Sequence, residues 1–300
     1  MKKIFYWAMF LVILAACKEN TTYDTGIDVN LHFKKIGELP AEILESSGMI
    51  EWQGSYWTLN DSGDGPFLYQ INPEEDALQK QLEVEGAENQ DWESLNRDSQ
   101  FVYIGDFGNN SGMRKNLRIF KMPIEQLNGA SDSLPELEQI DFVYEDQTRF
   151  DFDFAAHDYD CEAMISYQGK LYLFSKNHDN KQCRSYLLSS EAGRDTARVL
   201  ERFNTDGTIT GAALNTEGKT LALLGYNYSD WKGFRPFVWL FSEFEGDRFF
   251  SGKSQRIDIP VKVQTEAIAF INSGTLLISS EAEDGDRGQL YQFDISEWLK

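Results

Sequence analysis

One short pattern returns five times along the chain: Ser47-Gly48-Met49, Glu93-Ser94-Leu95, Glu162-Ala163-Met164, Thr210-Gly211-Ala212 and Glu266-Ala267-Ile268. The first position carries a side-chain oxygen, the second is small and the third is apolar. Each copy runs into a turn, as in Trp52-Gln53-Gly54-Ser55 or Tyr167-Gln168-Gly169-Lys170, and then into an apolar strand that ends in polar residues. Self-similarity at this spacing is the mark of a repeat architecture, in which each unit buries its faces against its neighbours.

The pattern predicts four strands per repeat and an all-β fold. The first repeat reads as strands over 48–52, 56–59, 67–71 and 78–84. The fifth has only three, over 266–270, 275–279 and 290–293, and then the chain ends. Its missing strand is expected at the other end, where 31–39 resembles an outer strand. Pairing the two ends closes a ring and removes exposed edges. The expected fold is a five-bladed β-propeller over residues 29–300. A six-bladed ring with the second repeat split is the alternative, because the interval from Glu93 to Glu162 is longer than that from Ser47 to Glu93. Residues 124–139 lack an inner motif of their own and read as an insertion between two strands, which favours five.

The first residues stand outside this repeat. Lys2 and Lys3 precede an apolar run from Ile4 to Leu14, too short to span a bilayer and laid out like a signal peptide. Leu14-Ala15-Ala16-Cys17 then resembles a bacterial lipobox. The expectation is a lipoprotein signal over 1–16, a lipidated Cys17 opening a tether over 17–28, and anchoring to a membrane of the bacterial envelope, on the periplasmic side or the cell surface. An ordinary signal peptide with a chance cysteine is the alternative. Beyond Cys17 there are Cys161 and Cys183. The layout puts a strand between them, roughly 9–10 Å across, beyond disulfide reach, so both are expected to be unpaired.

A net charge of −21 excludes a nucleic-acid partner, which needs clustered Lys and Arg. The charge has a more local meaning at the axis. Inner strands line the channel of a propeller, so Ser47, Glu93, Glu162, Thr210 and Glu266 form a ring, and the small residue after each answers the crowding there. Three converging carboxylates repel one another unless a cation or protons compensate them. Oxygen ligands without His or Cys suit Ca²⁺ and disfavour zinc. A hydrogen-bonded polar plug, or an ion that only pins the blades, would use the same residues.

Strand ends and loops add a second tier at the same mouth. Asp61 and Asp106 are read as acids that orient or deprotonate water. Asn60, Arg114, His157, Lys176 and Arg235 are read as holding an anionic small molecule such as a phosphate, between metal and cations. Trp231 and Phe234 are candidates for stacking, although aromatic residues in strands more often pack.

The ring order Ser, Glu, Glu, Thr, Glu resembles that of the calcium-activated nucleotidases (apyrases), five-bladed propellers with a central Ca²⁺. Glu45-Ser46-Ser47-Gly48-Met49 with Leu59-Asn60-Asp61 resembles their first blade. That stretch, with Asp91-Trp92-Glu93-Ser94-Leu95, also resembles SdiA-regulated and phytase-like propellers of bacterial envelope proteins. The resemblance implies that Ser47, Glu93, Glu162, Thr210 and Glu266 are metal ligands and Asp61 an acid at the mouth, with Thr210 standing where that pattern has serine. Two functions follow as expectations: a Ca²⁺-dependent hydrolase of phosphate esters or anhydrides, or a non-catalytic propeller that binds a ligand or partner around a structural ion.

Overall fold

A computed structural model describes residues 26–129, 131–135, 137–151, 158–177, 180–283 and 285–300. The chain enters on β1 (Phe33–Glu38) and then builds the first blade from β2 (Ser46–Trp52), β3 (Ser55–Asn60), β4 (Phe67–Asn72) and β5 (Glu75–Val84). The second blade has β6 (Trp92–Arg97), β7 (Phe101–Asp106) and β8 (Leu117–Pro123). It is completed, after an insertion containing β9 (Ser133–Leu134), by β10 (Glu138–Tyr144). The third blade is β11 (Cys161–Tyr167), β12 (Lys170–Ser175), β13 (Gln182–Ser189) and β14 (Gly193–Asn204). The fourth is β15 (Thr208–Leu214), β16 (Thr220–Ser229), β17 (Gly233–Ser242) and β18 (Lys253–Asp258). The last three strands, β19 (Thr265–Asn272), β20 (Thr275–Ser280) and β21 (Gln289–Asp294), are joined by β1, which pairs antiparallel with β21 from Phe33 opposite Phe293 to Glu38 opposite Gln289. The inner strands β2, β6, β11, β15 and β19 adjoin in that order, and β19 returns to β2. The protein is a five-bladed β-propeller whose N-terminal strand closes the last blade.

Alternation along the strands builds the core. Successive side chains point to opposite faces, and each blade is covered on both faces, so its middle strands are apolar throughout. In β16, Leu221 and Leu223 pack towards the third blade with Tyr172 and Phe174, while Ala222 and Leu224 pack towards the fifth with Ile268 and Ile278. Five such clusters fill the five gaps between blades. At the closing seam Ser46 Oγ lies 2.8 Å from Thr58 Oγ1 and 2.9 Å from Ser279 Oγ, tying the fifth blade to the first.

The insertion is an insertion, as read. It forms a 3-10 turn over Ile124–Asn128, and β9 then pairs parallel with β5 and covers the first blade's outer edge. A further pairing was not expected: β10 runs parallel to β14, fusing the outer edges of the second and third blades into one eight-stranded sheet. Both devices remove open edges. Cys161 and Cys183 are free and buried. Burial pushes the Cys161 thiol up to about 12, which leaves it inert as a nucleophile. Cys17 and the expected leader lie outside the described residues.

Candidate metal centre at the mouth of the propeller

The ring positions share one backbone feature. In every inner strand the register with its neighbour skips at the same place: between Ser46 and Gly48, Trp92 and Ser94, Cys161 and Ala163, Ile209 and Gly211, and Thr265 and Ile268. The ring residues Ser47, Glu93, Glu162, Thr210 and Glu266 are therefore bulged residues, and a bulge re-aims a side chain out of the ladder. The small residue that follows is set by close approach. A Cβ on Gly48 would lie 2.2 Å from the backbone N of Leu95 in the next blade.

The same register stacks a second layer over the ring. The partners of the residues before the bulges are Asn60, Asp106, Ser175, Gly225 and Ser280. One residue further on stand Asp61, Phe107, Lys176, Tyr226 and Glu281. Their opposite numbers, two residues before each ring position, are Glu45, Asp91, Asp160, Thr208 and Gln264. The backbone N of Asp61, Lys176 and Glu281 donates to the carbonyls of Glu45, Asp160 and Gln264 respectively.

This layered mouth divides into unlike sectors. Glu162, 4% exposed, forms an ion pair with Lys176. Burial opposes the lysine's charge, but Glu162, Tyr226, Glu266 and Asp160 outweigh it, and its pKa lies well above the usual lysine range. Glu266 accepts from Gln264 Nε2 at 2.8 Å, and the same nitrogen donates to Glu281 at 2.7 Å. Ser47 Oγ donates to Trp92 O at 2.7 Å and Thr210 Oγ1 to Thr265 O at 2.8 Å, so both hydroxyls also stitch adjacent inner strands together.

Glu93 is different. It is 3% exposed; its Oε1, like Oε2 of Glu162, has no hydrogen-bond partner, but Glu93 has no ion pair such as Glu162 makes with Lys176 among the described residues. Its neighbours are acids: one oxygen each from Asp61, Asp91 and Glu93 lie within 4.8 Å of one another. Gly108 makes the room, since a Cβ there would sit 2.4 Å from Glu93 Oε1 and 2.5 Å from Asp91 Oδ2. Burial, then Glu162, Asp61 and Asp91, push the Glu93 carboxyl well above its ordinary value. Burial and Asp61 raise Asp91 to about 7, and burial and Glu266 raise Glu281 to about 9. Burial also raises Asp61. Oxygens around one Ca²⁺ at 2.3–2.6 Å lie up to roughly 5 Å apart, so this trio has the spacing and chemistry of a hard-cation site.

Several expected roles change with these positions. Asp106, read as a water-orienting acid, is fully buried between Arg114 Nη2 at 2.8 Å and Arg118 Nε at 3.0 Å, which leaves it no access to water at the mouth. Arg114, read as an anion holder, also donates to Gly108 O at 2.8 Å, and so fixes the loop that carries the cradle glycine. Asn60 donates to Glu42 O and Asp64, and shapes its own loop. Lys176 faces Glu162, and Arg235 is exposed on β17 opposite Asn227. His157 lies outside the described residues. Asp61 does stand at the mouth beside Asp91 and Glu93. Asp91 was not singled out by the one-oxygen-per-blade pattern. The signal for it was the two-residue step shared by Glu45, Asp91 and Asp160 ahead of their ring positions.

No family model matches the chain, and no curated protein matches its sequence. Among solved structures it is similar to the PQQ-bound aldose sugar dehydrogenase of Streptomyces coelicolor, with a TM-score of 0.51 and 9% identity over 87% of this chain and 97% of that one. Looser similarities, at TM-scores of 0.49 and 0.48, are to a glucose dehydrogenase (9% identity, 88% of this chain and 99% of that one) and to the α-L-arabinofuranosidase of Podospora anserina (10% identity, 88% and 96%). At 9% identity the first of these likenesses speaks for the fold alone.

Proposed function

We propose that the mouth of this propeller binds a hard divalent cation, Ca²⁺ foremost, through Asp61, Asp91 and Glu93. The observation that carries the proposal is the orphaned, buried oxygen of Glu93 inside a carboxylate trio. Among the described residues its one ion pair is a long contact, 3.9 Å from Arg114 Nη1 to Asp91 Oδ2, made by a guanidinium that already holds Asp106 at 2.8 Å. The five-oxygen ring expected from the sequence is thereby redrawn. Glu93 stays a ligand, Asp61 and Asp91 join it, and Ser47, Thr210, Glu162 and Glu266 hold the surrounding strands and charges.

The reading favoured for the whole chain is an envelope lipoprotein, anchored through Cys17, that presents this centre to a phosphate ester or anhydride. A bound Ca²⁺ supplies a Lewis acid for a phosphoryl oxygen. Asp61, half-buried at the edge of the mouth, would take a proton from an incoming water with the carboxylate oxygen that it does not give to the metal. Resemblance of the inner motifs to apyrase and phytase-like propellers supports the same class. The test is turnover of nucleotides, phytate and p-nitrophenyl phosphate with Ca²⁺ and with chelator. Chelator-sensitive hydrolysis that Asp61→Asn abolishes is expected; no turnover on any of the three overturns the catalytic reading.

One observation favours the non-catalytic alternative. Arg114 and Lys176 are already engaged inside the protein, so an anion would rely on the metal for its positive charge. A propeller that binds Ca²⁺ tightly yet hydrolyses nothing would be a binding module with a structural ion. Anchoring has its own test. Cys17→Ser should release the protein from membranes or block its processing, and wild-type fractionation and migration of that variant would overturn it.

A further inference from the structure

The β16–β17 hairpin is longer than its blade requires. The third strand's pairing with β18 stops at Phe237 opposite Asp258, but β16 and β17 continue past it through Asn227 opposite Arg235 and Tyr228 opposite Phe234 to Ser229 opposite Gly233. A two-stranded overhang is marginal in water by itself. Here aromatic contacts brace it: Phe234 lies 5.0 Å from Tyr226, edge to face, and 4.9 Å from Tyr228. Keeping large rings outside the core needs a reason, since Tyr228 is 58% exposed and Trp231, at the tip, 97%.

Beneath the overhang lies a cavity of about 450 Å³, lined by Tyr226, Tyr228 and Phe234 on one side and by Asn227, Gln264 and Lys181, among others, elsewhere. Its size is that of a small-molecule site. The polar lining has a definite sense. Asn227 Nδ2 donates to Asp206 O at 2.7 Å, and Gln264 Nε2 donates to Glu266 and Glu281, so Gln264 keeps its carbonyl oxygen to offer and Asn227 its carbonyl oxygen and one N–H. Lys176 and Lys181 also line the cavity, the first already paired with Glu162, and Glu266 and Glu281 stand behind Gln264, so charges of both signs surround it and neither sign is in clear excess. Ring faces with hydroxyl-accepting amides suit a ligand that is apolar on its faces and donates hydrogen bonds from its rim.

We propose that this cavity is a binding subsite for a neutral saccharide, with a pyranose ring stacked on Tyr228 and Phe234 and its hydroxyls donating to Asn227 and Gln264. The inference does not rest on the cation, and goes beyond the reading of the mouth as a metal centre. A longer glycan leaving the cavity would meet Trp231.

The test is titration calorimetry and saturation-transfer NMR on the whole protein with cellobiose, chitobiose and maltotriose, each with Ca²⁺ and with chelator, and with adenosine monophosphate as the anionic, aromatic comparison. Binding of at least one of the three saccharides is expected, unchanged by chelator. Tyr228→Ala, at an exposed position, should weaken it about two- to tenfold, the worth of one aromatic contact, with the melting temperature retained. Tyr228→Phe should keep most of the affinity. Absence of saccharide binding below about 10 mM, binding indifferent to Tyr228→Ala, or binding of the nucleotide alone would overturn the proposal. Loss of the Ca²⁺ response with saccharide binding intact would instead count against the metal centre only.

Discussion

Glu93 and Glu162 occupy the same position in adjacent blades, on equivalent bulges, and both are almost wholly buried. Their surroundings differ most at one position. One step beyond the second strand, the third blade offers Lys176, which pairs with Glu162, while the second blade offers Phe107. Glu93 faces Asp61 and Asp91 instead. One sector of the mouth thus carries a close counter-ion on its own chain, while the other has three carboxylates and only the long contact of Arg114 Nη1 to Asp91 Oδ2, 3.9 Å, from a guanidinium shared with Asp106. A symmetric fold can therefore host an asymmetric site, because the backbone fixes where oxygens converge and single side chains decide which of them remain open.

The largest effect is expected from abolishing that difference. Lys176→Met leaves Glu162 buried without its partner and should cost about 3–5 kcal/mol. Adding Glu162→Gln should recover most of it, as a double-mutant cycle by chemical denaturation would show. Added Ca²⁺ should also restore part of the loss in Lys176→Met, since Glu162 then lacks its tethered charge. Additive effects of the two substitutions would break the comparison.

Gly108→Ala is the next step down. The new methyl group would press on Glu93 and Asp91, at an expected cost of about 1–3 kcal/mol, and the thermal response to Ca²⁺ should vanish with it. Retention of the full response would show that the cation is held elsewhere.

A gentler effect is expected from pH. Burial foremost raises Asp91 to about 7 and Glu281 to about 9, above the unfolded values near 3.9 and 4.3. A raised carboxyl binds its proton more tightly when folded, so its contribution to stability is complete below about pH 4 and is lost as pH rises through the folded value. Without divalent ions the protein should therefore lose stability from pH 4 through about 7, and further towards about 9. Saturating Ca²⁺ competes with the proton on Asp91 and should flatten the first part of that decline, leaving the Glu281 part. Melting curves across this range, with and without chelator, check it. A stability that rises with pH in chelator would contradict the assignment.

The oxygen, small, apolar repeat carried the blades, the closing strand and the five ring positions, because crowding at the axis writes itself directly into the sequence. The sectors were less legible. Polar strand ends look alike whether they face water or an arginine. Asp106 meets Arg118 only through the register of β7 with β8. Lys176 and Glu162 are likewise brought together by the β11–β12 register rather than by local spacing. The β10–β14 pairing joins outer strands of two different blades, and nothing in either segment announces the other. Asp91 was visible in Asp91-Trp92-Glu93, but assigning one oxygen to each blade passed over it.

The central claim is that the Asp61–Asp91–Glu93 sector imports its counter-ion. Its most direct test is a thermal melt of the metal-stripped protein across a Ca²⁺ titration, alongside Asp91→Asn and the outer-strand control Glu83→Gln. Binding to the folded state alone stabilises by about 2.7 kcal/mol at a hundredfold excess over Kd, which is roughly 5–10 °C for a domain of this size. The account predicts that shift in wild type and in Glu83→Gln, and its loss or near loss in Asp91→Asn. A wild-type melting temperature indifferent to Ca²⁺, other divalent ions and chelator, or a shift that Asp91→Asn leaves intact, would contradict it.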